Sequence, residues 1–184
     1  GQGGPPHGDA TIERGGYGTV RGGGEVRGES GRVDYSLHAS GLGTDNPTPN
    51  GRFTNSTFSW NGGAVIRPGL SLRTVGRAEW SRAGTPGQTA FGRPDLDAFF
   101  QRHDTVGGAT LEHERGPFKG RLTYAYSTSD QISANRKVDP PYTPRLGTNI
   151  GAFPFSDFLF DSDNTLNRHR VSYQGDLRIG GLGR

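Results

Sequence analysis

Cysteine and methionine are both absent from the 184 residues, which removes disulfide frameworks, thiolate metal sites and cysteine nucleophiles together. No run approaches the ~18 consecutive apolar residues of a membrane-crossing helix, so a helical membrane protein is excluded. Apolar residues are scarce as a class: 29% of the chain is hydrophobic, beside 32 glycines and 12 prolines, too little for an ordinary buried core. An excess of one charge is lacking too. The 21 basic and 18 acidic residues leave a net charge of +3, and the basic ones are dispersed, so there is no nucleic-acid footprint. Gly1-Gln2-Gly3-Gly4 has neither the basic nor the apolar region of a secretory signal, and with no Met at position 1 the chain reads as a mature or internal segment.

Two kinds of chain manage with so few apolar residues: a disordered one, or one whose strands need them on a single face. Periodicity decides for the second. From Val33 onward, apolar and polar residues alternate with period two. Val33, Tyr35, Leu37 and Ala39 interleave with Asp34, Ser36 and His38. Phe58, Trp60, Gly62, Ala64 and Ile66 alternate with Ser59, Asn61, Gly63 and Val65, and after Arg67-Pro68-Gly69 the pattern restarts with Leu70, Leu72, Gly76, Ala78 and Trp80. That spacing predicts a hairpin. A second hairpin sets Thr105, Gly107, Ala109 and Leu111 before Gly116-Pro117 and Leu122, Tyr124 and Tyr126 after it. Val171, Tyr173, Gly175, Leu177 and Ile179 mark a last strand that stops at Gly180-Gly181-Leu182-Gly183, a turn awaiting another strand. The glycine-rich stretch 11–29 reads as two strands bent at Tyr17-Gly18-Thr19, with one long strand as the alternative.

The connections alternate in length. Those around Ser30-Gly31, Arg67 to Gly69 and Gly116-Pro117 are very short, whereas 41–52, 84–101 and 129–166 are long, and the long ones all fall at one end. Sorting of this kind is characteristic of outer-membrane barrels and is not expected of a Greek-key sandwich. The Arg, Asp and Glu residues keep to the polar parity, where a barrel turns them inward. The expected fold class is therefore all-β: an antiparallel up-and-down transmembrane β-barrel segment of about eight strands, with short periplasmic turns and long extracellular loops, located in the cell outer membrane.

Gly15-Gly16-Tyr17-Gly18-Thr19, then Gly28 to Gly31, Val33-Asp34-Tyr35-Ser36-Leu37 and Thr44-Asp45-Asn46 resemble the start of the barrel in TonB-dependent receptors, just after the plug domain. Gly84-Thr85-Pro86-Gly87-Gln88-Thr89-Ala90-Phe91 resembles a segment of receptors related to cobalamin transporters. The resemblance implies energised import of a scarce nutrient, of the siderophore, cobalamin or glycan class, through a barrel filled by an N-terminal plug. Residues 1–9 would then be the end of the plug-to-barrel linker and 10–184 a partial barrel, about eight strands where the family has twenty-two. The implied partners are outer-membrane lipid and lipopolysaccharide, a plug domain and further barrel strands outside this sequence, TonB through a preceding N-terminal part, and a small-molecule ligand, with no nucleic acid. An alternative of another class is a small eight-stranded outer-membrane barrel with a structural or adhesive role.

Candidate sites are few. Asp161-Ser162-Asp163-Asn164 offers oxygen ligands of the kind calcium prefers but lacks EF-hand spacing, so it reads as the polar end of a loop. Phe153, Phe155, Phe158, Leu159 and Phe160 form an apolar cluster in the same loop, read as loop packing or an interfacial anchor before a ligand contact. Trp60, Trp80, Tyr35, Tyr124, Tyr126 and Tyr173 fit lipid-facing or girdle positions. His7, His38, His103, His113 and His169 are scattered. Gly22-Gly23-Gly24 has no following Lys-Ser/Thr to make a phosphate loop, and the Asn55-Ser56-Thr57 sequon is common by chance. No catalytic, cofactor-binding or metal-binding residue is assigned, and the chain is not expected to be an enzyme.

Overall fold

The structure, a computed structural model, describes residues 4–87 and 94–179. Eight long strands form one sheet: β1 His7–Arg14, β2 Val20–Ser30, β3 Val33–Thr44, β4 Phe53–Arg67, β5 Leu70–Gly84, β6 Phe99–Arg115, β7 Phe118–Asn135 and β10 Phe160–Leu177. Every neighbour in the order β1-β2-β3-β4-β5-β6-β7-β10 is antiparallel and consecutive, an up-and-down meander whose edges, β1 and β10, are not paired with each other. Between β7 and β10 a miniature hairpin, β8 Arg145–Leu146 and β9 Asn149–Ile150, stands apart from the sheet.

Turn chemistry fixes the register. At one end, Ser30 pairs with Val33, Arg67 with Leu70 and Arg115 with Phe118, so each connection has two residues. Gly31, Gly69 and Gly116 all have positive φ (61°, 75° and 59°), which a Cβ-bearing residue adopts only at a cost. Gly116 before Pro117 has the sign pattern of a type II′ turn, matched to strand twist, whereas Pro68 before Gly69 has that of type II, which splays strands. The register accordingly shifts between Val65 and Arg67. At the other end the connections lengthen along the chain, from 15–19 through 45–52 and 85–98 to 136–159. The expected bend at Tyr17-Gly18-Thr19 is a true turn, with Tyr17 and Gly18 both at positive φ.

Strand ends differ from those read in the sequence. Residues 41–44, 84, 99–101, 129–135 and 160–166, read as parts of the long connections, are hydrogen-bonded strand. The ladder needs only backbone partners, so it continues after the apolar alternation has stopped. The expected turn at Gly180 to Gly183, and Gln88 to Phe91, lie outside the described residues. Little is buried: Ala78, Ala98, Phe99 and Ala134 are the buried apolar side chains among the described residues, joined by Asn135. Most of these sit at the loop end of β6 and β7, where Asn135 donates from Nδ2 to Asp157 Oδ1 (2.7 Å) and the Phe158 carbonyl (3.0 Å).

Candidate functional site: the two faces of the sheet

Because successive strand residues point to opposite sides, the register sorts the chain into two surfaces. One, the polar face, holds a ladder of ion pairs. Arg73 on β5 reaches across Gly63 on β4 to Asp34 on β3, donating from Nη2 at 2.8 Å, and donates to Asn61 Oδ1 at 2.5 Å. A Cβ on Gly63 would collide with both the guanidinium and the carboxylate. Glu79 accepts from Arg77 (2.6 Å) and Asn55 (2.8 Å), and Arg102 pairs with Asp104 (2.6 Å), Arg121 with Glu112 (2.7 Å) and Lys119 with Glu114 (2.8 Å). These pairs are partly solvated, so each is worth little. Arg73→Gln is expected to lower stability by less than about 1 kcal/mol, checked by chemical unfolding in detergent.

The opposite, apolar face is bounded. On β7 it runs Phe118, Gly120, Leu122, Tyr124, Tyr126 and then turns polar at Thr128 and Asp130. On β5 it runs from Leu70 to Trp80 and ends at Arg82, and on β1 from Gly8 to Ile12 and ends at Arg14. Its limits cross the hydrogen-bonded rows obliquely. The row Gly8, Val26, Leu37, Trp60, Gly76, Gly107, Tyr126, His169 joins the turn-side start of the β1 stretch to the loop-side end of the β7 stretch. The next row but one beyond it joins apolar Ile12 and Trp80 to His103, Asp130 and Thr165. The midpoints of the β1 and β7 stretches, Ala10 and Leu122, imply a slip of roughly one residue per strand; at ~3.3 Å rise and ~4.8 Å strand spacing this tilts the strands against the band by roughly 35°.

Inside the band, Trp60 lies across its neighbours. An added Cβ would strike the indole at Gly76, and at Gly107 it would stand 3.5 Å from Trp60 Cζ2. Large ring, bare backbone: the pairing fits an indole flat onto the sheet, stacked 6.1 Å from Phe58. His169 Nδ1 and Tyr124 Oη share a hydrogen bond at 2.8 Å, with Tyr126 4.9 Å from the same imidazole.

The structure places Trp60, Trp80, Tyr35, Tyr124, Tyr126 and Tyr173 all on the apolar face, as their spacing suggested. His7 and His38 stand on the polar face and His103, His113 and His169 on the apolar one, and no group of metal-ligating side chains forms among the described residues. Asp161-Ser162-Asp163-Asn164 is not the end of a loop but strand β10, which sends the aspartates to the apolar face and Ser162 and Asn164 to the other. Four donors split between two faces cannot enclose one ion. Asp161 instead accepts from Arg136 at 3.2 Å. Phe160 likewise belongs to β10, paired 5.9 Å from Phe158, while Phe153, Phe155 and Tyr142 form a separate exposed chain of rings at 6.2 and 6.4 Å. Asn55-Ser56-Thr57 lies within β4 and Gly22-Gly23-Gly24 within β2.

One assembly had no signal in the sequence. Phe99, on the apolar face of β6, carries the Arg82 guanidinium 4.0 Å from its ring centroid and that of Arg136 at 5.4 Å. No family model, curated protein or solved structure matches the chain.

Proposed function

We propose that this sheet is part of the wall of an outer-membrane β-barrel belonging to a TonB-dependent receptor, which imports a scarce nutrient by energised transport. The observation that supports it most is the oblique apolar band backed by an ionic ladder. Phe118 to Tyr126 covers roughly 27 Å along β7, and at a tilt of roughly 35° that is roughly 22 Å of height, close to the ~25 Å apolar belt of such barrels. The tilt itself matches the ~35–45° of transmembrane strands. Two-residue turns at one end and lengthening loops at the other fit the same reading, and the transport role rests on the resemblance of 15–46 to the first barrel strands of that family.

The eight strands also suit a small self-closed barrel. The edges speak against it: β1 has 8 residues and β10 has 18. Aligning the apolar stretch of β1 with that of β10, Val171 to Leu177, leaves 160–170 of β10 without a partner. A bare ladder in or near a membrane is costly.

The test is depth. With the chain in its natural flanking sequence and reconstituted in vesicles of brominated lipid, the Trp60 and Trp80 fluorescence is expected to be quenched strongly, Trp60 more than Trp80, and to resist aqueous acrylamide. Acrylamide quenching without lipid quenching overturns the membrane reading. Loss of nutrient accumulation on deleting the gene, equal to that on deleting TonB, checks the transport role.

A further inference from the structure

The connections at the loop-side end of the sheet are linked in series. Asp45 N donates to the Tyr17 carbonyl at 2.9 Å, Asn50 Nδ2 to the Ala98 carbonyl at 2.8 Å, and Lys137 N to Asp97 Oδ2 at 3.1 Å, so 15–19, 45–52, 85–98 and 136–159 each hold the next. Of these three links the middle one alone has a side-chain amide as its donor. Asn50 also precedes Gly51, and the sequence has one other Asn-Gly pair, Asn61-Gly62. Glycine after asparagine puts no side chain in the way of attack by its backbone nitrogen on the amide carbon, and asparagine is a thermolabile residue for that reason. The two pairs are held differently. Asn61 lies inside β4, paired with Ser36 on one side and Val75 on the other, and its Oδ1 accepts from Arg73. Asn50 lies outside the ladder at a φ of +54°, a conformation asparagine tolerates better than most residues but still at a cost. Its Nδ2 shares the carbonyl of buried Ala98 with Thr85 N, which donates at 2.9 Å. Gly84 is bare where Asn50 crosses it: a Cβ there would collide with the carbonyl oxygen and Oδ1 of Asn50.

We propose that Asn50 is a modification site, a latch between connections 45–52 and 85–98 that deamidates and thereby stays open. In the step, the Gly51 backbone nitrogen gives its proton to solvent and attacks Asn50 Cγ. A Cγ–N bond forms, the Cγ–Nδ2 bond breaks, and Nδ2 leaves as ammonia with protons taken from water. The five-membered imide is then opened by one water molecule at either carbonyl, giving an aspartyl or an isoaspartyl residue, and no oxidant or reductant is involved. While the latch is shut both reacting groups are engaged, Gly51 N by the Thr48 carbonyl at 2.8 Å and Nδ2 by Ala98. Conversion therefore proceeds from the locally opened state. The product cannot close again: a carboxylate has no proton to donate, and it sets a negative charge against the Ala98 carbonyl. The series of linked connections is then cut in its middle, with 15–19 and 45–52 on one side and 85–98 and 136–159 on the other.

The experiment incubates the full folded chain in mildly alkaline buffer and follows both Asn-Gly pairs by peptide mass mapping and by enzymatic methylation of isoaspartyl groups. Conversion is expected at Asn50 and not at Asn61, while the same chain in denaturant converts at both. Gly84→Ala, which pushes Asn50 off its seat, is expected to speed conversion at Asn50 roughly tenfold, the worth of about one hydrogen bond in closing the latch. Asn50→Asp reproduces one product directly, and hydrogen exchange on it is expected to show faster exchange at the Gly51 and Thr85 amides with the β4 and β5 ladders unchanged. Equal conversion of Asn50 and Asn61 in the folded chain, or none at Asn50, overturns the modification site. A rate indifferent to Gly84→Ala, or exchange indifferent to Asn50→Asp, overturns the latch. All four readings hold whether or not the sheet proves to be a barrel wall, because none of them measures lipid or transport.

Discussion

Ala109→Arg is expected to destabilise the chain in a bilayer by roughly 2 to 4 kcal/mol, whereas Val106→Glu, three residues away on the same strand, is expected to cost little or nothing. Both exchange an apolar side chain for a charge. Ala109 stands on the apolar face between Thr74 and Tyr124, inside the band, where a guanidinium against hydrocarbon carries the cost quoted. Val106 stands on the polar face, directly opposite Arg77, with Ser127 on its other side. A carboxylate there meets a cation across the strand pair, an arrangement that stabilises sheets by a few tenths of a kcal/mol to about 1. Urea unfolding of both variants in lipid vesicles measures the difference. Equal destabilisation would mean that the two faces meet the same solvent, which would dismiss the barrel wall altogether.

Gly76→Val is expected to be the most damaging single-residue change within the band that adds no charge. The Trp60 indole occupies the space a side chain would need, with three ring atoms closer than any real Cβ contact, so the ring must leave the sheet surface. Overpacking of this kind costs roughly 1 to 3 kcal/mol. Gly62→Ala is the control, because its Cβ would meet nothing nearer than 3.8 Å. The unfolding midpoint of Gly76→Val should fall sharply and that of Gly62→Ala barely move, and the Trp60 emission should shift only in the first. Restoring the midpoint with Trp60→Leu in the Gly76→Val background would identify the indole as the obstacle.

What the sequence makes legible is whatever the period-two pattern and the turn residues encode together. Phe58, Trp60, Ala64, Leu72 and Ala78 announce their face by alternation, and Gly31, Gly69 and Gly116 announce the turns because their φ angles suit glycine. Strand ends are not encoded that way. Ser129 to Asn135 and Phe160 to Leu166 pair residue for residue, yet above the band neither face needs apolar side chains, so the pattern that reveals a strand fades while the ladder goes on. The same fading made Asp161 to Asn164 look like a loop. The Arg82, Phe99 and Arg136 cluster is illegible for another reason: it is assembled by register from three elements, and nothing local to any of its residues foretells the other two.

The extra length of β7 and β10 has a mechanical consequence. Nine residues of β7 lie beyond Tyr126, the last of them Asn135, and Ser127 to Ala134 are paired on both sides, with β6 and with β10, so loop 136–159 is mounted on a stiff extension of the sheet. A tug on that loop along the strands cannot peel β7 from β6 one bond at a time. It loads the whole ladder from Phe99 to Arg115 in shear, the loading direction in which hydrogen-bonded strands resist most because their bonds must fail together. Force applied at the loop would therefore be shared along the sheet and not borne by its last bonds alone.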